Sequence, residues 1–427
     1  MPVIRVFEHE RLTIHEDELG RALTTVQFEK LCQFNDKNEN KYFTVIRNGV
    51  KFGQYVGVIQ IGILTIEILP KADKQTITKH EYDAQTRRWQ KVLLKMLAIS
   101  GEIDLETVSE ASLRKRLTLL DLYFEIYLQE VDGLLRRGLA KKYRQNEGNV
   151  KALKGRLNFS KDIQHNCIHR ERFYTCHQTY DHEHLLNQIL LKGLKILETL
   201  SSDSMLNDKI RKLMFYFPEI REIAINKDSF NKIRLTRKTR EYTKALAIAK
   251  MLILNYSPDI SKGEENMLAL LFDMNKLWEK YIYKQLKARE NKYLRVKYQV
   301  QDLFWESKRI FPDIVIERLL SVEKDEISYE AFWEPCIIDT KWKLIDVNKP
   351  SDDDLKQMYV YNMYWNSPKS MLLYPKLAGA KDSDFGKFHK GRPGDNHCKI
   401  GFVSVLDDSG GLSQGVADEI LKKIKPE

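Results

Sequence analysis

Two apolar runs that each meet a carboxylate constrain this chain more tightly than any other feature. The first is Phe311-Pro312-Asp313-Ile314-Val315-Ile316, and the second is Ile337-Ile338-Asp339-Thr340-Lys341-Trp342-Lys343. In an extended strand the side chains alternate faces, so Asp339 and Lys341 point one way while Ile338, Thr340 and Trp342 point the other. Asp313 opens a strand suited to pairing beside it. Two carboxylates on adjacent strands make a hard oxygen site for Mg²⁺, which the backbone carbonyl of Thr340 could complete. A neighbouring lysine can orient a water or stabilise charge on a phosphate, so the set suits phosphodiester hydrolysis. The long interval between the two aspartates is accommodated if Glu317 to Glu334 forms an irregular or hairpin excursion, which its charged middle (Glu323, Lys324, Asp325, Glu326) permits. Taken singly, the same residues describe a solvated strand edge.

The flanking sequence adds to the pair. Upstream, Met274 to Tyr281 lies in an apolar-periodic stretch read as one long helix, with Leu268, Leu271, Leu277, Tyr281 and Ile282 as its buried stripe and Glu279 as one carboxylate on this otherwise packing helix. Downstream, Asp352 to Asp354 can cap a helix on which Gln357 and Tyr361 share a face at i, i+4. The bland readings are a surface glutamate and amphipathic packing. A strand from Ser370 to Pro375 completes the order helix, strands, helix, strand.

These elements resemble the PD-(D/E)xK nucleases, with the QxxxY element of the RecB-like group, and the whole chain resembles the McrC family, the nuclease subunit of McrBC modification-dependent restriction systems. The resemblance rests on MNKLWEKY, FPDIVI, IIDTKWK, LKQMYVYNMYW and LLYP. It extends to LKGRLNF (Leu153 to Phe159), DHEHLLNQILLKGLKIL (Asp181 to Leu197), RRGLAKKY (Arg136 to Tyr143) and LTIEILPKAD (Leu64 to Asp73). Trp278 and Trp342 stand where the family more often has Phe or Tyr. The resemblance implies a Mg²⁺-dependent endonuclease acting on double-stranded DNA together with a hexameric AAA+ GTPase. Asp313, Asp339, Lys341, Glu279, Gln357 and Tyr361 would be its site residues, and Asp313, Asp339, Thr340 and Glu279 its metal donors.

The length suits two domains and a small third. No run approaches the ~20 apolar residues of a membrane span, and the N-terminus lacks a signal-peptide core, which points to the cytoplasm. The net charge of +10 suits a polyanion partner. It gathers in Arg136, Arg137, Lys141, Lys142 and Arg144, and in Lys227, Lys232, Arg234, Arg237, Lys238 and Arg240, which could track phosphates, meet an acidic protein or simply be solvated. Five scattered cysteines argue for free thiols and against a four-cysteine iron–sulfur cluster. His165, Cys167, His169, Cys176, His177, His182 and His184 crowd one stretch, but without a paired C-x₂-C a structural zinc site is disfavoured.

The fold expected is α+β and multidomain. Residues 1–75 form a β-rich subdomain (a small barrel or sandwich) with a hairpin turn at Asn48-Gly49. Residues 76–260 form a mainly helical partner-docking region, with helices over Trp89–Ala98, Ser112–Leu139, His184–Leu200, Asp208–Phe215 and Thr239–Leu254 and a loop-rich middle from Lys142 to His184. A polar boundary at Asn255 to Glu265 leads to a C-terminal α/β endonuclease domain, 266–427, with a mixed sheet, a loop at Gly379 to His397, a strand at Cys398 to Leu406 and a helix at Gly415 to Ile424. The chain has no phosphate-binding G-x-x-x-x-G-K-[ST] loop, so nucleotide-driven motion would have to come from a partner. The competing readings are a stand-alone RecB-like repair or end-processing nuclease, and a non-catalytic activator of a partner NTPase.

Overall fold

The computed structural model describes residues 2–70, 79–103, 118–257, 266–324, 329–343, 345, 350–376, 380–389 and 396–424. The chain folds as two compact units interleaved in sequence. One comprises residues 3–59, 65–105 and 271–427, and the other residues 1–2, 60–64 and 106–270.

The first unit carries the two carboxylate runs on a mixed six-stranded sheet. Its strand order is Leu294–Tyr298, Ile314–Lys324, Tyr329–Thr340, Lys369–Pro375, His397–Val403 and Gly386–Lys387. The excursion between the aspartates is a long antiparallel hairpin of Ile314–Lys324 with Tyr329–Thr340, broken by an irregularity between Leu319 and Ser321. The charged tip, Asp325 to Ser328, lies outside the described residues. Strands Tyr329–Thr340, Lys369–Pro375 and His397–Val403 then run parallel, and their apolar stretches, Ile337 and Ile338, Met371 to Tyr374, and Ile400, Phe402 and Val403, are buried. Helix Asp352–Tyr364 starts at a Ser351 cap, one residue before the expected aspartates, with the Ser351 side chain accepting from the Asp354 amide. Met358 and Tyr361 pack on Ile337, Leu372, Tyr374, Ile400 and Phe402.

The apolar stretch before Glu279 divides differently from the expectation. Met267–Asp273 is a strand and the helix is Met274–Lys287, so Leu268 and Leu271 are not part of its stripe. Periodicity cannot separate a buried strand from a buried helix over so short a run. Asp273 decides the matter: its side chain accepts from the Asn275 amide and caps the helix.

The N-terminal segments of this unit are divided between two sheets, one of which they share with Met267–Asp273. Val3–Phe7 pairs parallel with Leu64–Leu69. Arg11–Thr13, Gly49–Phe52 and Phe43–Ile46 form a separate three-stranded sheet. Between these comes helix Thr25–Lys37, closed by a Thr24–Gln27 capping box. A hairpin turn is present one residue before the expected one, at Arg47-Asn48, with Asn48 in the left-handed region at φ 60° and Gly49 opening the next strand. Helix Lys79–Ile99 extends well beyond the expected Trp89–Ala98.

The second unit holds helices Leu119–Arg137, Leu185–Leu200, Ser204–Tyr216 and Thr243–Asn255. Tyr127, fully buried, donates to the Leu190 carbonyl at 2.7 Å and fills the space a side chain at Gly193 would need. The expected loop-rich middle is instead a nine-residue antiparallel pair, Lys142–Val150 with Phe173–Asp181, edged by Arg156–Leu157 and helix Phe159–Asn166. Most side chains of Lys142–Val150 are exposed on both faces, so the alternation that marks a half-buried strand is missing from its sequence. Residues 112–117 and 258–265, within the expected second helix and the expected boundary, lie outside the described residues.

Candidate active site

The hairpin register brings the two aspartates together. The ladder ends with Ile314 opposite Ile338, which leaves Asp313, just ahead of its strand, next to the end of the strand that carries Asp339 and Thr340. Asp313 Oδ2 accepts from the Thr340 amide at 2.7 Å and the Thr340 hydroxyl at 2.9 Å. Asp339 is 1% exposed. Its buried Oδ2 accepts no hydrogen bond of ordinary geometry and is met by the Lys341 ammonium at 2.7 Å.

Burial pushes both carboxyls up, Asp313 to about 6 and Asp339 to about 7. The nearby charge of Glu279 adds to the shift of Asp313, and that of Asp313 adds to the shift of Asp339. Lys341 is raised instead: burial alone would lower it, but the Asp339 carboxylate and then Asp354 favour its charged form.

Glu279, on helix Met274–Lys287, is buried, and burial also raises its carboxyl. Its Oε1 accepts from Gln299 Nε2 at 2.8 Å. Gln299 has a left-handed φ of 45°, and its amide donates to the Asp313 carbonyl at 3.0 Å. A single residue therefore ties the third carboxylate to the backbone of the first. On helix Asp352–Tyr364, Gln357 Oε1 accepts from Lys341 at 3.2 Å while its Nε2 donates to the Tyr361 hydroxyl at 2.7 Å. Tyr361 in turn donates to the Phe311 carbonyl at 2.9 Å. The shared face expected for Gln357 and Tyr361 is thus the link between Lys341 and the chain just ahead of Asp313.

Among the described residues, no three His, Cys, Asp or Glu side chains are gathered as a group that could hold a metal. The His- and Cys-rich stretch is spread along separate elements. His165 stacks on Tyr174, His177 meets Thr175 Oγ1, His184 caps helix Leu185–Leu200, and Cys176 Sγ accepts from Gln145. In the first basic run, Arg136, Arg137 and Arg144 pair with Asp132, Glu241 and Asp181, exposed contacts of small energetic weight.

A family model described as McrBC 5-methylcytosine restriction system component matches residues 50–375, most of the chain. The chain belongs to that family. Within the McrBC group, the Type IV methyl-directed restriction enzyme EcoKMcrBC of Escherichia coli (strain K12) is 26% identical over 171 residues, 39% of this chain and 49% of that protein. The chain thus spans about half the length of the curated relative it matches. Its fold is that of a chain in the half-complex from a tetradecameric assembly of Thermococcus gammatolerans McrB AAA+ hexamers with bound McrC (TM-score 0.70, 18% identity, 99% of both chains). A second likeness, to the T. gammatolerans McrBC complex, has a TM-score of 0.52 at 19% identity over 68% of this chain and 89% of that one.

Two residues of this McrBC-family chain that touch the candidate site had no signal in the sequence. Gln299 sits in a connection and gains meaning only through its contacts with Glu279 and Asp313. Asp354 reads as one of three aspartates at a helix start, yet it lies 3.7 Å from Lys341 and 2.6 Å from Lys343. Among the described residues, no helix is long and apolar enough to cross a membrane.

Proposed function

We propose that this chain is the endonuclease component of an McrBC-type restriction complex, hydrolysing phosphodiester bonds of modified double-stranded DNA in a Mg²⁺-dependent reaction. The observation that carries the reading is the neighbouring pair Asp313 and Asp339, both pushed up by burial and like charge, with the Lys341 ammonium 2.7 Å from Asp339. Such a pair fits a small hard dication, because carboxylate oxygens are its preferred donors and its charge would relieve their repulsion. Asp313 and Asp339 would hold it, with the Thr340 carbonyl completing the set and Glu279 assisting. When bound, Mg²⁺ supplies charge to the reacting phosphoryl group and lowers the pKa of its water.

The chain's own residues divide the remaining work. Lys341 presents a fixed positive charge to the phosphate or its attacking water. Gln357 accepts from the ammonium of Lys341. Tyr361 anchors Gln357 to the Phe311 carbonyl and so to the approach of Asp313. Gln299 orients Glu279.

The T. gammatolerans relative is described with McrB AAA+ hexamers. By extension, this chain would dock on a hexameric AAA+ GTPase and stimulate its hydrolysis. The test is co-expression with the product of the neighbouring gene, followed by cleavage of modified plasmid with Mg²⁺ and GTP or ATP. Asp339→Asn is expected to abolish cutting, a loss of several kcal/mol of transition-state stabilisation, while leaving ring binding intact. Wild-type cutting by Asp339→Asn overturns the site. Degradation of free ends by the chain alone, with no nucleoside triphosphate, replaces the complex with a stand-alone end-processing nuclease.

A further inference from the structure

Lys341 is flanked by two anions, and only one of them belongs to the proposed metal pair. Its Nζ lies 2.7 Å from Asp339 Oδ2 and 3.7 Å from Asp354 Oδ1. Asp354 is nearly buried and held from several sides. Its amide donates to the Ser351 cap hydroxyl at 3.2 Å, and its Oδ2 accepts from Lys343 at 2.6 Å, with the Tyr374 hydroxyl 3.5 Å away. These contacts leave Oδ1 as the oxygen that faces Lys341.

As the chain stands, the ammonium of Lys341 sits on one of the two oxygens that Asp339 could offer a cation. An ammonium and a dication on one carboxylate repel each other, the more so the lower the local dielectric. Lys341 is only partly exposed, so an ammonium displaced from Asp339 is stabilised by another anion close by. Gln357 already accepts from Lys341 but carries no charge. Asp354 Oδ1 does, and the ammonium reaches ordinary charge-assisted hydrogen-bond distance to it with a shift of roughly 1 Å.

We propose that Asp354 is a positioning residue that receives Lys341 when a divalent cation takes Asp339, so that one ion pair is exchanged for another as the site fills. The proposal rests on the reading of Asp313 and Asp339 as metal ligands. Without Asp354 the ammonium stays on Asp339 and competes with the cation.

The experiment is Mg²⁺ titration of the full chain by calorimetry, without DNA or nucleotide, on the wild type, Asp354→Asn, Lys341→Met and the double variant. Asp354→Asn is expected to weaken Mg²⁺ binding about tenfold, the lower end of what removal of a group supporting a metal ligand does. The same substitution in the Lys341→Met background is expected to change nothing, because the competitor is gone. Equal affinity of Asp354→Asn and wild type overturns the proposal, as does the same loss in both backgrounds, which would mean that Asp354 acts on the metal or the fold directly. Should Asp354→Asn not fold, Asp354→Glu takes its place: a smaller weakening confined to the Lys341 background supports the exchange, and any other pattern overturns it. Wild-type chain that binds no Mg²⁺, or binding that survives Asp339→Asn, removes the metal reading and this proposal together.

Discussion

Asp313 and Asp339 carry like charge at close quarters. Burial raises both carboxyls above the ordinary carboxylate value, and each is raised further by a neighbouring carboxylate charge. The folded chain therefore binds protons that the unfolded chain has already released. This contribution to stability is fully present below about pH 4 and is lost as pH rises through about 6 to 7, the raised values of the pair. Thermal melts without metal should show a declining contribution across that window, and Asp339→Asn should flatten it. Mg²⁺ added near pH 7.5 should raise the melting temperature of the wild type and leave Asp339→Asn unmoved. A wild-type curve insensitive to both pH and Mg²⁺ would show that the pair does not carry the repulsion assigned to it. Burial of Asp339 follows from its position on a strand deep within the sheet, and nothing in the local sequence Ile-Ile-Asp-Thr-Lys marks it as more buried than an edge residue.

Helix Asp352–Tyr364 separates two roles that its sequence presents together. Gln357 and Tyr361 sit at i, i+4, but only Gln357 touches Lys341, while the Tyr361 hydroxyl closes a bond to the Phe311 carbonyl. Gln357→Ala should therefore lower the cleavage rate, by about tenfold on the scale of supporting residues at metal sites, with metal affinity and melting temperature little changed. Tyr361→Phe leaves the Phe311 carbonyl and the Gln357 amide without that partner, and should cost about 1–3 kcal/mol of stability in a urea titration. If the two substitutions exchange these effects, the hydrogen-bond chain has been read in the wrong direction. The strand–hairpin–strand order around the site was legible from alternation and β-branched content. The strand at Met267–Asp273 and the polar pair Lys142–Val150 with Phe173–Asp181 were not. The first is apolar up to Asp273 and the Lys142–Val150 strand of the second is largely exposed, and neither carries a period that distinguishes it from a helix or a loop.

The whole molecule is organised against the order of its chain. Residues 3–59 and 65–105 belong to the same compact unit as 271–427, while 106–270 form the other. Within the first unit, the Trp342 indole donates to Glu8 Oε1 at 2.7 Å and packs against Trp278, one residue from Glu279. A fragment ending near residue 260 would thus carry the N-terminal segments without the sheet they pack with. Limited proteolysis of such a fragment should cut within its first 105 residues, at sites that the full chain protects. Equal protection in both would show that the N-terminal segments fold alone. Ring binding and stimulation of its hydrolysis are accordingly best measured on the full chain carrying Asp339→Asn.

The sequence by itself determined the chemistry on offer: which carboxylates and which lysine share a strand face, that Gln357 and Tyr361 share a helix face, and that a Gly-rich phosphate loop is absent from the chain. These follow from periods of 2 and 3.6 residues acting over a few positions. Only the tertiary structure decided the partners of each group. The register that brings Asp313 next to the strand end carrying Asp339, the reach of Gln299 to Glu279, the place of Asp354 beside Lys341, and the buried contact of Glu8 with Trp342 all join residues whose separation along the chain carries no local signal. Backbone geometry fixes the direction of each side chain locally, whereas what it meets there is set by packing of distant segments, and burial then sets the charge each group can hold.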